Sequence, residues 1–294
     1  MPLQWSIMSD PYALLAPWYA SHARDLPWRR PEFPAWGTLV SEIMLQQTQA
    51  ARVAVEIDQW LQRWPTPRDL AEAPTADVLR AWGTLGYPRR ALRLQQTARE
   101  IVERHSGLVP ADVDALLELP GVGDYTARAV AVFHYGERHP VVDTNVRRVV
   151  ARFVHGLANQ GGPKRSDLID VERLLPEDAA EAALVDAALM ELGALVCTSK
   201  YPACDDCPLQ DECAWVRAGK PENAPSGRPR QAKFEGSDRQ ARGRVLRALR
   251  EADGPLIESD VAALWPDGAQ RERAVASLVA DGLAVATPDG LHLP

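Results

Sequence analysis

The chain has 294 residues, 46% of them apolar and 25% charged, which excludes a disordered or fibrous protein and, at roughly 100–200 residues per domain, predicts two domains and a small third. Its formal charge of −7 argues at face value against a protein that lives on nucleic acid, because phosphate binding draws on Lys and Arg. No stretch approaches the ~18 uninterrupted apolar residues of a membrane span, and residues 1–10 lack the basic start and apolar run of a signal peptide, so a cytoplasmic protein with no membrane partner is expected.

In chain order, apolar residues recur at three and four, as at Leu39, Val40, Ile43 and Met44, and breakers arrive every 10–20 residues, the pattern of short packed helices. Helix starts read at Thr66-Pro67 and at Thr75. Further helices are predicted over 89–105, 112–119, 125–133, 145–154 and 181–195, joined by short loops. Residues 220–238 are rich in Pro, Gly, Lys and Arg and read as a linker. Helices over 239–250, 258–265 and 270–280 follow, and 283–293 alternates around Asp289-Gly290 as a hairpin. Three helices and a β-wing make 239–294 a winged-helix-like domain.

Four motifs carry chemistry. The four cysteines, Cys197, Cys204, Cys207 and Cys213, fall within 17 residues, too clustered to staple the chain and spaced as metal ligands. Only Cys204 and Cys207 pair as zinc ligands do, so the spacing is a poor match for a zinc site. Leu119-Pro120-Gly121-Val122-Gly123 precedes a helix opening Asp124-Tyr125; it is either an ordinary glycine turn or a hairpin whose free amides meet a phosphate. Asp143 follows Val141 and Val142 and precedes a helix, the setting of a simple N-cap. Glu42 lies among Leu39, Val40, Ile43, Met44 and Leu45; it is either a solvated helix glutamate or a carboxyl whose raised pKa makes it a general acid.

Together, in their order along the chain, these motifs resemble the MutY-type adenine DNA glycosylases of the endonuclease III superfamily, over residues 12–217. The resemblance implies a mainly α, two-lobed helix-hairpin-helix fold with a four-iron four-sulfur loop. Its lobes would be 1–28 with 137–219, and a six-helix barrel over 29–136. It assigns Cys197, Cys204, Cys207 and Cys213 to the cluster, and Gly121, Val122 and Gly123 to the DNA backbone. Ser41-Glu42-Ile43-Met44-Leu45-Gln46-Gln47-Thr48 matches that type closely and makes Glu42 the group that protonates adenine. Asp143 becomes the carboxylate facing the sugar, with Asn145 as its support. Tyr125 stands where lyase-competent relatives carry a lysine, which implies hydrolysis without strand cleavage. Arg24, Trp28 and Arg29 become adenine-pocket candidates, Gln47 and Tyr87 wedges in the base stack, and Thr48 and Leu85 further DNA contacts.

The implied activity is removal of adenine mispaired with 8-oxoguanine or guanine in double-stranded DNA, by a nucleoid-associated monomer that can recruit a repair or replication protein. The alternatives are a mismatch thymine or uracil glycosylase, which Glu42 argues against, and a non-catalytic DNA-binding protein. Where many members have Asn and then Gln or Glu before the cluster, this chain has Asp186 and Ala187, and Pro88 replaces the second Tyr of Gly-Tyr-Tyr. A winged-helix-like segment also stands where many members carry a Nudix-like domain. The basic charge is local: residues 219–250 hold much of it, and with Arg147, Arg148 and Lys200 they are expected to present a positive face to the duplex.

Overall fold

A computed structural model describes residues 10–222 and 233–294. The linker reading therefore lies mostly outside the described residues, and so do nine of the ten residues that lack a signal-peptide pattern. In chain order, α1 is Pro11–His22, α2 Ala35–Leu45, α3 Ala50–Arg63, α4 Pro67–Glu72, α5 Thr75–Trp82 and α6 Arg89–Arg104. Then come α7 Val113–Leu117, α8 Asp124–Phe133, α9 Thr144–Phe153, α10 Ser166–Glu172, α11 Ala179–Leu195 and α12 Ala214–Arg217. The chain closes with α13 Asp238–Glu251, α14 Glu258–Leu264, α15 Gly268–Ala280 and a hairpin, β1 Val285–Thr287 with β2 Gly290–His292. No helix among the described residues is long and apolar enough to cross a membrane.

Local chemistry sets the helix starts. Asp10, Asp112, Asp143, Asp178, Ser237 and Asp267 each accept a backbone N–H from the first turn of the helix they precede. Thr66 and Asp69 form a reciprocal capping box with Pro67 at the first helical position. Helices α1, α3, α10 and α12 lie where the sequence pattern predicts none.

Two compact units result, Met1–Glu42 with Ala111–Glu118 and Val122–Gly227, and Ile43–Pro110 with Leu119–Gly121 and Arg228–Pro294. The boundaries differ from the expected ones: 29–42, 111–118 and 122–136 belong with the cysteine-bearing helices, and the terminal domain belongs with the helices of 43–110. The first unit buries Leu15 and Trp18 of α1, Val146, Val150 and Phe153 of α9, and Leu189 and Leu192 of α11 in one core. On α11 the glycine at 193 lets α9 come close, because a Cβ there would lie 2.7 Å from the Cβ of Asn145 and 2.9 Å from its carbonyl oxygen.

The second unit wraps α3–α6 around Trp60 and the fully buried Trp82, whose rings meet edge to face at 5.6 Å. Its terminal part packs α13 on α14 and α15, burying Ala241, Trp265 and Ala274. Thr287 pairs with Gly290, so the hairpin turns at Pro288-Asp289, one residue before the expected Asp289-Gly290. Gly290 is instead the point where the strand crosses the chain at Leu256, whose carbonyl oxygen a Cβ would strike at 2.5 Å. Within this unit the terminal part is pinned to α5 and α6. Arg250 donates to the carbonyl of Gly83, Arg89 pairs with Asp281 at 3.4 Å, and Gly282 lies against Leu92.

Candidate active site

Helix α2 turns Glu42 inward, leaving it 4% exposed. The Tyr125 hydroxyl donates to its carboxyl, while Oε2 has no hydrogen-bond partner. Burial pushes the Glu42 carboxyl up to about 7, the Tyr125 hydrogen bond opposes the rise, and the nearby Asp143 charge adds to it. Glu42 is thus a carboxylic acid that can hold a proton at neutral pH and has one oxygen free to direct it.

Asp143 caps α9, its Oδ1 accepting the Val146 N–H at 2.7 Å and its Oδ2 accepting the Asn145 amide at 2.8 Å. Burial raises its pKa, against hydrogen bonds from Val146 and Asn145 and the charge of Arg148. Both oxygens accept hydrogen bonds, and these bonds favour the ionised form. The N-cap role and the role the resemblance assigns are therefore compatible in one residue. Asn145 is in turn held by Arg148, which donates to its Oδ1 at 2.8 Å, to the Gly193 carbonyl at 2.6 Å and to the Cys197 carbonyl at 2.7 Å.

Tyr125, at the start of α8, lies near three carboxyls, and burial with the charges of Glu42, Asp143 and Asp186 pushes its hydroxyl well above its usual range. It stays a proton donor. Asp186 on α11 is fully buried; its Oδ1 accepts the Val141 N–H at 3.0 Å and its Oδ2 has no partner. Burial pushes it up to about 8, with the Val141 N–H lowering it and the Glu172 charge raising it. In the sequence Asp186 stands out only as a departure from the family pattern; in the fold it holds the loop leading to Asp143 through the Val141 N–H.

Arg24 and Arg29 converge on Glu191. Arg24 makes two bonds to its carboxylate at 2.8 and 2.9 Å, and Arg29 one at 2.8 Å. Burial opposes ionisation of Glu191, but the Arg24 and Arg29 hydrogen bonds outweigh it and hold the carboxyl at about 2. The two candidates are thus locked in place by a carboxylate that sequence reasoning missed, and Trp28 lies between them, partly exposed.

In the hairpin, Gly121 has φ +80° and a Cβ there would meet Arg93 at 3.1 Å, so glycine is needed. Gly123 opens α8 with no side-chain cap, which leaves the first amides of the helix available. Val122 is buried and contributes only its backbone. Asp124 pairs with Arg128 at 3.1 Å.

Gln47 and Tyr87 are exposed and both adopt positive φ, 59° and 47°, a strained conformation for such residues that structures keep where the surroundings enforce it. Here Arg90 enforces it. Buried beneath the two loops, it donates to the carbonyls of Ile43 and Met44 at 2.9 and 2.7 Å and to the Thr48 hydroxyl at 2.8 Å. It also donates to the carbonyls of Leu85 and Gly86, both at 3.1 Å. Leu85 itself is 4% exposed, so its expected DNA contact is corrected: its side chain is core and its carbonyl anchors the loop. Thr48 likewise spends its hydroxyl on Leu85 and Arg90.

The four cysteines line one small cavity with Arg152, Val196 and Trp215. No disulfide joins them. Among the described residues no group of three or more ligands is drawn in tightly enough for a single ion. Arg152 is buried and donates to Cys197 Sγ at 3.3 Å and to the Thr198 carbonyl at 2.7 Å. Arg147 and Arg148 are buried too, Arg147 on Asp167 at 2.7 Å, so their expected place on a DNA-facing surface is corrected: they hold α9 to its neighbours.

The sequence profile of the HhH-GPD superfamily of base excision DNA repair proteins matches residues 40–167. A Mycobacterium tuberculosis protein named adenine DNA glycosylase is 54% identical, over 94% of this chain and 90% of its own length. The chain belongs to the adenine DNA glycosylase family. Another adenine DNA glycosylase, from Mycolicibacterium smegmatis, is 51% identical over 96% of this chain and 94% of its own length, which includes the terminal domain. The human family member is 41% identical over 68% of this chain. Among solved structures, a thermostable thymine-DNA glycosylase superposes with TM-score 0.65 at 26% identity, over 70% of this chain and 95% of its own. Endonuclease III in a non-covalent DNA complex shares the fold with TM-score 0.61 at 21% identity, over 72% of this chain and 99% of its own.

Proposed function

We propose that this chain removes adenine mispaired with 8-oxoguanine or guanine from duplex DNA by hydrolysing the base–sugar bond, leaving an intact abasic strand. The observation that carries the reading is Glu42, buried, bonded to Tyr125, raised to about 7 and with one oxygen unpaired. A deoxyadenosine glycosidic bond breaks readily when the base leaves neutral, which requires a proton on N7 as the bond lengthens, and Glu42 supplies it. Positive charge then develops on the sugar, where the ionised Asp143, fixed by Val146 and Asn145, stabilises it. Two carboxyls in different environments thus take opposite protonation states. Tyr125 offers no amine for a Schiff base, which supports hydrolysis alone.

Cys197, Cys204, Cys207 and Cys213, four thiols lining one cavity, would hold the four-iron four-sulfur cluster that the resemblance implies. Such a group would supply structural order to the 197–213 loop, with Arg152 beside Cys197 Sγ, and would take no part in hydrolysis. Purified protein is expected to be brown and to contain iron and sulfide; colourless protein holding zinc would overturn this assignment.

Duplexes with A opposite 8-oxoguanine, A opposite guanine, and T or U opposite guanine, treated with alkali after incubation, test the activity. Cleavage confined to the adenine strand is expected, falling about 10²–10⁴-fold in Glu42→Gln and at least about 10²-fold in Asp143→Asn. Cleavage of T or U alone would contradict it.

A further inference from the structure

Helix α11 meets the chain around Asp143 at two points, and adenine removal as derived from Glu42 and Asp143 leaves one of them without a task. Gly193 accepts the close approach of Asn145, and its carbonyl takes the Arg148 guanidinium at 2.6 Å. Two turns earlier on the same face of the helix, roughly 10 Å along its axis, Asp186 accepts the Val141 N–H at 3.0 Å. Val141 stands two residues before Asp143 and Asn145 two residues after it. The hydrogen bonds of the Asp143 side chain run to residues that follow it, Val146 and Asn145. Asp186 supplies the grip on the residues that precede it.

The surroundings of this contact are dry. Asp186 and Val141 are both fully buried, and Val141 packs among Ala129, Val132, Ala183 and Met190. The Oδ2 of Asp186 has no partner. Glu172 on α10, Arg138 in the segment before Val141 and Tyr125 on α8 act on Asp186 through their charges. Arg138 commits its guanidinium to Glu172 and to the carbonyls of Pro176 and Leu175. Of the other helices packed on α11, α9 turns Arg148 to Gly193 and Cys197, and α1 presents Leu15 and Trp18. A negative charge on Asp186 would thus leave a buried oxygen unsatisfied, which water relieves only by parting the 137–143 segment from α11. The neutral carboxyl, favoured by burial up to about pH 8, keeps the contact closed.

We propose that Asp186 is a positioning residue for base release: by holding Val141 on α11 it sets the Asp143 carboxylate in place against the sugar of the nucleotide being cleaved. The proposal rests on the reading of Asp143 as the group that stabilises the sugar cation. Misplacing a reacting group by about 1 Å, through a change remote from the chemistry, costs up to about 10²-fold in rate, so a single backbone hydrogen bond two residues away is enough to matter.

Single-turnover base release by the full chain, on duplexes carrying A, T or U opposite guanine, tests it together with duplex affinity from fluorescence anisotropy. Asp186→Ala removes the acceptor and should lower the rate constant about 10–10²-fold, with duplex affinity unchanged because Asp186 is fully buried. A purely structural role would instead lower the amplitude of release and leave its rate constant native. Asp186→Asn keeps an acceptor for Val141 and should restore most of the rate at neutral pH. Above about pH 8 it should increasingly outpace the native chain, since Glu42 loses its proton in both whereas only the native chain gains a charge at 186. That ratio decides the matter where Asp186→Ala does not fold. A native rate constant in Asp186→Ala, an Asp186→Asn as slow as Asp186→Ala, or, with the Ala variant unfolded, a ratio flat from about pH 6 to about pH 9 would overturn the proposal. The two readings separate by base: native rate constants in both variants beside adenine release remove the role of Asp186 alone. The expected losses on thymine or uracil remove the adenine reading alone, and a native chain that releases no base removes both.

Discussion

Asp186 and Glu42 carry opposite lessons at the scale of the residue. Both are buried carboxyls, raised to about 8 and about 7, and in the folded chain both hold a proton over a range where the unfolded chain has released it. The stability this contributes is complete below about pH 4 and is lost as pH rises through 7 to 8. Asp186→Asn keeps the acceptor for the Val141 N–H and removes the titration. Melting temperature measured from about pH 5 to pH 9 should therefore fall less in the variant than in the native chain, a difference on the order of a few kcal/mol at the upper end; identical pH dependence in both would contradict the burial account. Glu42 was legible in the sequence because apolar neighbours and a closely matching motif surround it. The part played by Asp186 was not, since its partner is a backbone N–H 45 residues away, and no local pattern encodes such a contact. Glu191 and Arg90 were illegible for the same reason: each is a charged residue on a helix, and only the fold shows that it is buried and which groups it satisfies.

Helices α9 and α11 act as one element. Asp143, Asn145 and Arg148 lie at the start of α9, and Arg148 reaches the Gly193 carbonyl of α11. Their approach depends on the missing Cβ at 193. Two effects compete in Gly193→Ala. Helix propensity favours Ala by about 1 kcal/mol, whereas the 2.7 and 2.9 Å contacts force backbone apart at a typical cost of about 1–3 kcal/mol. Because the clash is with Cβ and backbone of Asn145 and not with a flexible side-chain end, the clash should win. The urea midpoint should fall, and adenine release should fall with it as Asn145 shifts; a more stable, fully active variant would contradict the close-packing account. At this scale the sequence was most informative where periodicity and caps coincide, as in α4, α6, α9 and α11. It failed at α3 and α10, where no side chain caps the start, at α1 despite Asp10-Pro11, and at the hairpin, where Gly290 serves a crossing with Leu256 and not the turn.

For the whole molecule, the charge of −7 reflects how charge is distributed, not what the chain binds. Arg147 and Arg148 are spent inside the first unit, so they do not supply the positive surface expected of them. In the second unit a cleft between α5–α6 and α13 gathers its arginines from stretches far apart in sequence, 80–93 and 239–250, and only the second stretch stood out as basic. The central claim, that Glu42 is the acid that expels adenine, is tested most directly by the single-turnover rate of adenine release against pH, for the native chain and Glu42→Gln. The native rate should be highest below about pH 7 and fall as pH rises through it, because the carboxyl then loses the proton it must deliver. Glu42→Gln should be about 10²–10⁴-fold slower without that limb. Adenine release by Glu42→Gln at the native rate, with the same pH profile, would contradict the account.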